Sequence, residues 1–391
     1  MVNERTKYKI KDVFELSAGG DVDRAHFSVY KTNECCYPIY SNSLENCGLY
    51  GYTSNPKYKA DSVTITGRGS VGHAEYRADK FDAIIRLLVL EPKDNNVCAQ
   101  FVADYINSCI DFPLESTGVP QLTAPQIMNI ELELPQYDEQ KEIATLLSDA
   151  NDLIDILDKQ IQKKKAIKQG TMQELLTGKK RLPGFSGEWK NKKLGDYCSI
   201  ITKQTGFDYS AHIKPALITR RMPNTLPMIQ TINFRGRQFS FDTDYYIPKS
   251  VALQFPNIVL DQKCVLFSIV GASVGNIGLY PGGTSFCGGA IGITRFYDEQ
   301  DAEWVYYYMS SPEGQAQIQY VTKGGAQATV TIADIRNFNI PTPEKRERIV
   351  IAELLSNMDS EIEALEQKLA KYRQIKQGMM QLLLTGKIRL I

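Results

Sequence analysis

A short glycine-rich segment is the part of this chain whose spacing best matches a known kind of chemistry. Gly67, Gly69 and Gly72 form the pattern G-x-G-x-x-G after Ser62–Thr66, a segment typical of a strand. That pattern binds a dinucleotide pyrophosphate when a helix follows it, because the helix N-terminus faces the phosphates. Here His73–Tyr76 follow, and their composition favours a second strand. The sequence therefore predicts a β-turn between two strands.

Catalytic and metal-binding groups also lack a usable spacing. Asp82, Glu91 and Lys93 are residue types found in nuclease metal sites. Pro92 interrupts the strand that would present them, so an exposed turn is the favoured interpretation. The three histidines lack the spacing of a triad or a metal site: His26, His73 and His212. We expect no catalytic residue and no metal site in this chain.

The strongest feature of the sequence is an internal repeat. At an offset of 208, Pro135–Leu182 matches Pro343–Leu390 with 23 identities in 48 positions. The best-matched block reads IKQG-x-MQ-x-LLTGK and begins at Ile167 and again at Ile375. Shorter matches lie upstream, at Thr123 with Thr331, Ile127 with Ile335, and Ser70–Gly72 with Ser273–Gly275. The chain therefore reads as a tandem duplication of a globular segment followed by a long helix.

Both long helices carry a heptad pattern. Apolar residues recur with alternating spacings of four and three, which predicts coiled-coil seams. The seam residues are Ile143, Leu147, Ile154, Leu157 and Ile161 in the first helix, and Ile351, Leu355, Ile362, Leu365 and Leu369 in the second. At about 1.5 Å per residue such a helix is roughly 55 Å long, or about 16 base pairs of DNA. We interpret the helices as a spacer.

The charges along the two helices predict how they pair. Asp149–Asp158 precede the basic segment Lys159–Lys168, and Asp359–Glu366 precede the basic segment Lys368–Lys376. An antiparallel pair places each acidic half against a basic half, whereas a parallel pair places like charges together. We therefore expect an antiparallel coiled coil. The alternative is that the charges solvate two separate surface helices, since exposed ion pairs orient little.

Composition limits the remaining possibilities. At 391 residues and 43% hydrophobic content, the chain suits two domains plus the helices. Its 45 basic and 45 acidic residues balance, so DNA binding would need local basic clefts. Eight cysteines without a C-x-x-C pair, and with no leader before them, favour a reduced cytoplasmic setting. The uncharged stretch Cys264–Thr294 contains eight glycines, which favours short strands over a membrane span.

The predicted fold class is α/β, with two mixed α/β domains separated by two long antiparallel coiled-coil helices in a pseudo-two-fold tandem duplication. The predicted domains are residues 1–134 and 183–342, and the predicted spacer helices are residues 135–182 and 343–391. Strands are expected near Ser62–Thr66, Ala83–Leu90, Val265–Val270 and Ile291–Phe296, and short helices near Gln100–Asn107 and Glu303–Met309.

This layout resembles a known family over essentially the whole chain. Two variable segments end in PQLTAPQIMNIELELP and ATVTIADIRNFNIPTP, and each precedes a helix that closes with LLTGK. Glu139–Ala144 is similar to the family's usual entry into its first long helix, and Glu347–Ala352 differs from that pattern by two extra residues. The family is the specificity subunit of type I restriction-modification enzymes.

The resemblance implies a non-catalytic subunit that recognises double-stranded DNA. Each domain would be a target recognition domain that reads one half of a split, asymmetric site, and the helices would set the spacing and dock two methyltransferase subunits. Those partners would methylate adenine with S-adenosylmethionine, and motor-nuclease subunits would use ATP and Mg. This chain would bind no cofactor. The alternative function is a coiled-coil scaffold that joins two protein-binding domains without touching DNA.

Basic and polar residues near turns are the candidates for DNA contacts, because such side chains reach phosphates or base edges. The candidates are Lys57, Tyr58, Lys59 and Arg68 in the first domain, and Arg220, Arg221, Arg235, Arg237, Lys323 and Gln327 in the second. Gln327 is the predicted adenine reader. The alternative for each is a solvated surface side chain.

Overall fold

The computed structural model describes residues 5–112, 121–322 and 328–390. The chain divides into two compact units, each with one globular domain and parts of both long helices. Unit 1 consists of the residues up to Gln160 and those from Leu365 onward, and unit 2 is Ile161–Ala364. The predicted DNA contacts Lys323 and Gln327 lie outside the described residues.

Domain 1, in unit 1, is built mainly of short strands. Its helices are α1 (Ile10–Val13), α2 (Ala99–Cys109) and α3 (Ala124–Met128). Its strands are β1 (Thr6–Lys9), β2 (Phe14–Ala18), β3 (Phe27–Ser28), β4 (Tyr37–Tyr40), β5 (Leu49–Thr53), β6 (Ser62–Ile65), β7 (Ala74–Arg77), β8 (Asp82–Ala83), β9 (Leu88–Pro92) and β10 (Glu131–Leu134). They form the sheets β2-β9-β6-β7 and β3-β5-β4-β8 and the pair β1-β10. Only β4 and β8 pair in parallel among these described strands.

A 39-residue helix, α4 (Tyr137–Leu175), follows domain 1. Domain 2, in unit 2, has the helices α5 (Leu194–Tyr197), α6 (Gly206–Asp208), α7 (Lys249–Ala252), α8 (Asp301–Ser310), α9 (Pro312–Val321) and α10 (Ile332–Asn337). Its strands are β11 (Lys190–Lys193), β12 (Cys198–Lys203), β13 (Thr225–Ile229), β14 (Phe234–Arg235), β15 (Gln238–Phe239), β16 (Tyr246–Pro248), β17 (Val259–Leu260), β18 (Cys264–Ser268), β19 (Ile277–Tyr280), β20 (Ser285–Cys287), β21 (Ile291–Phe296) and β22 (Asn339–Thr342). The 35-residue helix α11 (Lys345–Met379) comes last.

Domain 2 repeats the plan of domain 1. The sheet β12-β21-β18-β19 is ordered like β2-β9-β6-β7, and β11 pairs with β22 as β1 pairs with β10. In the sheet β16-β13-β20-β17 the parallel pair is β13 with β20, which corresponds to β4 with β8. The edges differ, because β17 extends the sheet on the opposite side from β3. The duplication predicted from the sequence therefore extends to the fold.

Each long helix begins in the core of its preceding domain. Ile143 and Leu147 of α4 are fully buried in the core of domain 1. Ile351 and Leu355 of α11 are fully buried in the core of domain 2, which also contains Trp304. Burial of one such side chain stabilises a fold by about 1.5–3 kcal/mol. The first turns of each helix are therefore fixed to the domain before it.

The helices pair antiparallel within the units, as the charge gradients predict. The ion pairs are Lys164–Glu361 and Lys168–Asp359 in unit 2, and Arg373–Asp158 in unit 1. In unit 2, the position on α4 rises from Lys164 to Lys168 while the paired position on α11 falls from Glu361 to Asp359, which confirms the antiparallel direction. Of the ten residues predicted for the seam, Ile154 and Leu365 are half-buried and the other eight are buried.

A buried ion pair joins the first turn of each long helix to the arginine that follows the other helix. In unit 2, Arg181 donates from Nε and Nη2 to the Glu347 carboxylate at 2.6 and 2.7 Å. In unit 1, Arg389 Nε donates to Glu139 Oε1 at 2.6 Å. The two glutamates occupy equivalent positions in the repeat, as do the two arginines. The duplication therefore carries the same ion pair into both units.

One predicted strand and one predicted turn are wrong. Ala83–Leu90 is not a single strand, because Ile85 and Arg86 adopt left-handed backbone with φ of 55° and 58° and separate β8 from β9. Asp82 is not in an exposed turn. It lies in β8 and is 1% exposed, since Lys57 Nζ at 3.2 Å compensates its charge.

Two predictions about the glycine-rich segments are confirmed. Gly67–Gly72 connects the antiparallel strands β6 and β7, as expected of a turn. The uncharged stretch Cys264–Thr294 is divided among β18 to β21. Within residues 5–112, 121–322 and 328–390, no helix is both long and apolar enough to cross a membrane. The same residues contain no group of three or more His, Cys, Asp or Glu side chains placed to hold a metal ion.

Candidate nucleic-acid interface

In domain 1 the loops after β2, β4, β6 and β8 converge, and we call this region the loop end of domain 1. It consists of Gly19–Gly20, Asn42, Gly67–Arg68 and Ile84–Leu87. Backbone bonds hold two of these loops together: Gly19 N donates to Leu87 O at 2.7 Å, and the N–H of Arg86 donates back to Gly19 O at 2.9 Å. The parallel pairing of β4 with β8 and the antiparallel pairing of β2 and β6 with β9 bring these loops to one place.

Asn42 links two further loops of this region. Its Nδ2 donates to Ile85 O at 2.6 Å, and its Oδ1 accepts from Gly67 N at 2.8 Å. Both bonds reach residues more than twenty positions away, so no local sequence signal points to Asn42. Arg68 lies beside this bridge, and its Nη2 donates to Gln121 Oε1 at 3.3 Å. The side chain of Arg68 is exposed on an ordered frame.

Ile85 and Arg86 project from strained backbone. Left-handed φ is uncommon for any residue with a side chain, and for a β-branched isoleucine it is an outlier. Ile85 is nevertheless 55% exposed, and Arg86 is exposed as well. Strain held at an exposed loop is characteristic of functional sites. With Arg68, Arg86 gives this loop end two guanidinium groups that suit phosphates or a guanine edge.

The loop end of domain 2 is built on the equivalent strands. It consists of Gln204 after β12, Gln230–Ile232 after β13, Gly271 after β18, and Gly288–Ala290 between β20 and β21. Gly288 N donates to the carbonyl that ends β13 at 2.7 Å, as Ile84 N does to the carbonyl that ends β4 at 2.9 Å. Ala290, with φ of 62°, repeats the left-handed conformation of the same connection in domain 1.

An open pocket of about 350 Å³ occupies the loop end of domain 2. Its lining residues are Gln204, Tyr209, Met228, Gln230, Thr231, Ile232 and Gly289. Gln204 is only 8% exposed, and its Nε2 has no hydrogen-bond partner among the described residues. Ile232, by contrast, is 76% exposed. The pocket therefore combines an unmatched polar group at its base with apolar groups around it, and the sequence analysis missed it.

Two of the predicted contacts in domain 1 are engaged by the domain itself. Lys57 is paired with the buried Asp82. Tyr58 stacks on Phe81 with ring centroids 5.4 Å apart, and its hydroxyl donates to Ala18 O at 3.3 Å. Burial raises the pKa of Tyr58. These contacts favour structural roles for both side chains.

The other predicted residues are dispersed. Lys59 precedes β6 and Arg68 follows it, so the two lie at opposite ends of that strand. Arg220–Arg221 are exposed but precede β13, whereas the loop end follows β13. Arg235 is exposed on β14. Arg237 donates from Nη1 to the Tyr307 hydroxyl at 3.0 Å, so it is held within unit 2. Of the described predicted residues, Arg68 alone lies at a loop end.

Comparison with known proteins identifies the family. Residues 3–168 and 186–374 both match the sequence profile described as "Type I restriction modification DNA specificity domain". This chain belongs to the type I restriction-modification DNA specificity family. The two matched segments each contain one globular domain and most of one long helix, so the family resemblance and the duplicated fold coincide.

Members of this family from an archaeon share part of the sequence. The putative type I restriction enzyme MjaX specificity subunit of Methanocaldococcus jannaschii is 29% identical over 275 residues, which cover 68% of this chain and 60% of that one. The MjaVIII specificity subunit of the same organism is 26% identical over 293 residues, 70% of this chain and 66% of that one. The matches thus span less than two thirds of these relatives' lengths.

Solved structures share the fold. The type I restriction-modification S subunit from M. genitalium matches with a TM-score of 0.67 and 14% identity, covering 98% of this chain and 97% of that one. A chain from a structural study of complex assembly and conformational transition in a type I restriction-modification system matches with a TM-score of 0.52 and 15% identity, covering 97% of both chains.

Proposed function

We propose that this family member is the DNA-recognition subunit of a type I restriction-modification complex. Each domain reads one half of a bipartite, asymmetric site in double-stranded DNA, and α4 and α11 set the spacing between the halves. The observation that carries the proposal is the pair of loop ends, which are built on equivalent strands but carry different side chains. Arg68 and Arg86 suit guanine edges or phosphates, whereas Gln204 suits a different base. The two half-sites therefore differ.

Two copies of a methyltransferase subunit are the proposed partners. Outside the seam, each unit exposes one leucine and one isoleucine at equivalent positions of the repeat, with exposed fractions between 37% and 48%. They are Leu146 and Ile375 in unit 1, and Leu354 and Ile167 in unit 2. Exposed apolar side chains favour protein contacts. Their recurrence in a duplicated chain supports two equivalent docking surfaces for two copies of one partner.

In this proposal the chain itself is non-catalytic and binds no cofactor. The methyltransferase partners bind S-adenosylmethionine and methylate adenine, and motor-nuclease subunits supply ATP- and Mg-dependent translocation and cleavage. We place the complex in the cytoplasm, where the eight cysteines, all free thiols, would stay reduced.

Mapping of methyladenine in cells that express the chain with its methyltransferase partner tests the proposal. The expected result is one bipartite motif with a fixed gap and two different halves. Cells that express the methyltransferase alone are the control, and they should lack the motif. A motif without a gap, or one that persists in the control cells, would contradict the proposal.

The balanced charge of the chain favours a second candidate, a coiled-coil scaffold that joins two protein-binding domains. Filter binding of the assembled complex to random duplex DNA at several salt concentrations separates the two functions. A recognition complex that makes about six phosphate contacts should lose affinity with a log–log salt slope of about −5. A scaffold should retain no duplex at any of these concentrations.

A further inference from the structure

We propose that Gln204 is the residue with which domain 2 recognises an adenine in its half-site. This inference rests on the proposed function and assigns the chemistry of one position within it. Gln204 comes directly after β12, so the sheet β12-β21-β18-β19 fixes its backbone. Its side chain lines the pocket at the loop end.

The hydrogen-bonding state of Gln204 points to an external partner. Buried amide groups in native proteins almost always have a hydrogen-bond partner, because an unmatched one destabilises the fold. Gln204 Nε2 has none among the described residues, although the side chain is more than nine-tenths buried. Gln230 and Thr231 line the same pocket, and neither accepts a hydrogen bond from Gln204 Nε2. The donor is thus unused, and because Nε2 is itself covered, a contact with a base requires the amide to turn toward the pocket.

The chemistry of a glutamine amide selects adenine among the four bases. The amide presents a donor beside an acceptor, and the major-groove edge of adenine presents the complementary acceptor N7 beside the donor N6. Guanine presents two acceptors there, cytosine a donor, and thymine an acceptor beside a methyl group. With the amide turned into the pocket, Nε2 would donate to N7 and Oε1 would accept from N6.

The surroundings of Gln204 fit this role. Tyr209, Met228 and Ile232 line the pocket and would exclude water from the contact, which strengthens a hydrogen bond. A Cβ at Gly289 would lie 3.4 Å from Gln204 Oε1, an ordinary van der Waals contact, so glycine leaves the space beside Oε1 unfilled. In domain 1, β2 is followed by Gly19–Gly20, which have no side chain. Domain 1 therefore lacks an equivalent of Gln204, and only the half-site of domain 2 is concerned.

Mapping of methyladenine in cells with the Gln204→Ala complex is the first test. One adenine in the half-site of domain 2 should become degenerate, with discrimination at that position reduced about tenfold, as expected for loss of one bidentate base contact. The other half-site and the gap should stay as in the wild type. Gln254→Ala is the matched control, because Gln254 is an exposed glutamine of the same domain whose side-chain amide donates to Ser250 O at 3.4 Å.

Binding to a modified duplex tests the named atoms. The probe is the wild-type site with 7-deazaadenine, which lacks the N7 acceptor, at the mapped position. The wild-type complex should bind this duplex about tenfold more weakly than the unmodified one, whereas the Gln204→Ala complex should bind both equally. An equal loss of affinity in both complexes would overturn the assignment to Gln204.

A stability measurement separates recognition from a structural role. Gln204→Met removes an amide without a partner, so the unfolding midpoint of unit 2 should stay the same or rise. A fall in the midpoint would show that the amide has a structural partner and would overturn the inference. If the wild-type complex yields no bipartite motif, the proposed function fails. If the wild type yields a motif and Gln204→Ala yields the same one, the inference about Gln204 alone fails.

Discussion

Arg181→Met should destabilise unit 2 strongly, because it leaves a buried carboxylate without its cation. The Glu347 side chain is 0% exposed and accepts two hydrogen bonds from Arg181 and one from Trp189 Nε1 at 3.1 Å. After the substitution, only the neutral indole N–H remains among these donors. The position of Glu347 in the first turn of α11 retains some favourable interaction with the helix dipole.

The size of the effect follows from the exposure of the pair. Breaking a fully buried pair costs about 3–5 kcal/mol. The Arg181 side chain is 25% exposed, which lets water reach the site, and the helix dipole offsets part of the loss. We therefore expect a loss of about 2–3 kcal/mol in the free energy of unfolding. Lys164→Met is the matched control, because Lys164 and Glu361 are 46% and 58% exposed and such pairs contribute at most about 1 kcal/mol.

Tryptophan fluorescence during urea unfolding measures this loss selectively. The chain has two tryptophans, Trp189 and Trp304, and both lie in unit 2. With a urea dependence of about 2 kcal/mol/M, Arg181→Met should lower the midpoint by about 1–1.5 M. The double variant Arg181→Met/Glu347→Leu should recover much of that loss, because it removes the buried charge as well. A midpoint no lower than that of Lys164→Met would refute the reasoning.

Three further predictions concern unit 1 and the helices. Burial raises the pKa of Asp104 to about 6, above its ordinary 3.8, so the folded state holds the proton more tightly and stability should fall as the pH rises from about 4 to 6. Circular dichroism of urea unfolding should show the wild type losing about 2 kcal/mol relative to Asp104→Asn over that range, and a constant difference would contradict the burial. Leu157→Asp places a carboxylate in the seam and should reduce co-purification with the proposed methyltransferase subunits. The effect should be larger than that of Leu365→Asp, at a half-buried position, and the isolated domains should stay folded in both variants. Ile156→Asp, at a neighbouring side chain that is 51% exposed, should leave the seam intact, so unchanged co-purification of Leu157→Asp would argue against the seam. Insertion of four residues near Asp158 should lengthen the gap in the methylated motif by about one or two base pairs, with some loss of stability from the broken heptad phase, and a change in the bases read would contradict a spacer role.

The helices were predictable because their signals are local and periodic. The heptads that contain Leu157 and Leu369 recur every seven residues, and the charge gradients repeat in both copies. Such patterns need no knowledge of distant contacts. The duplication strengthened each helix prediction, because a pattern that occurs in both copies seldom arises by chance.

The loop ends were not predictable, because strand pairing creates them. Asn42 and Gln204 acquire their surroundings from loops that are distant in sequence, and the left-handed backbone of Arg86 depends on the junction between β8 and β9. The same limitation explains why the basic residues chosen from the sequence include side chains that are engaged by the protein itself. Lys57 and Arg237 are held by partners far along the chain, a buried aspartate and a tyrosine hydroxyl. Charge alone does not reveal such partners.

Exchange of domain 2 tests the central claim most directly. Residues 187–340 are replaced by the equivalent domain of a relative with a different motif, and methyladenine is mapped in cells that express the chimera with the proposed methyltransferase partner. If the two domains recognise DNA independently, one half of the motif should change to that of the relative, while the other half and the gap stay intact. A chimera that alters both halves, or that leaves the motif unchanged, would contradict the account.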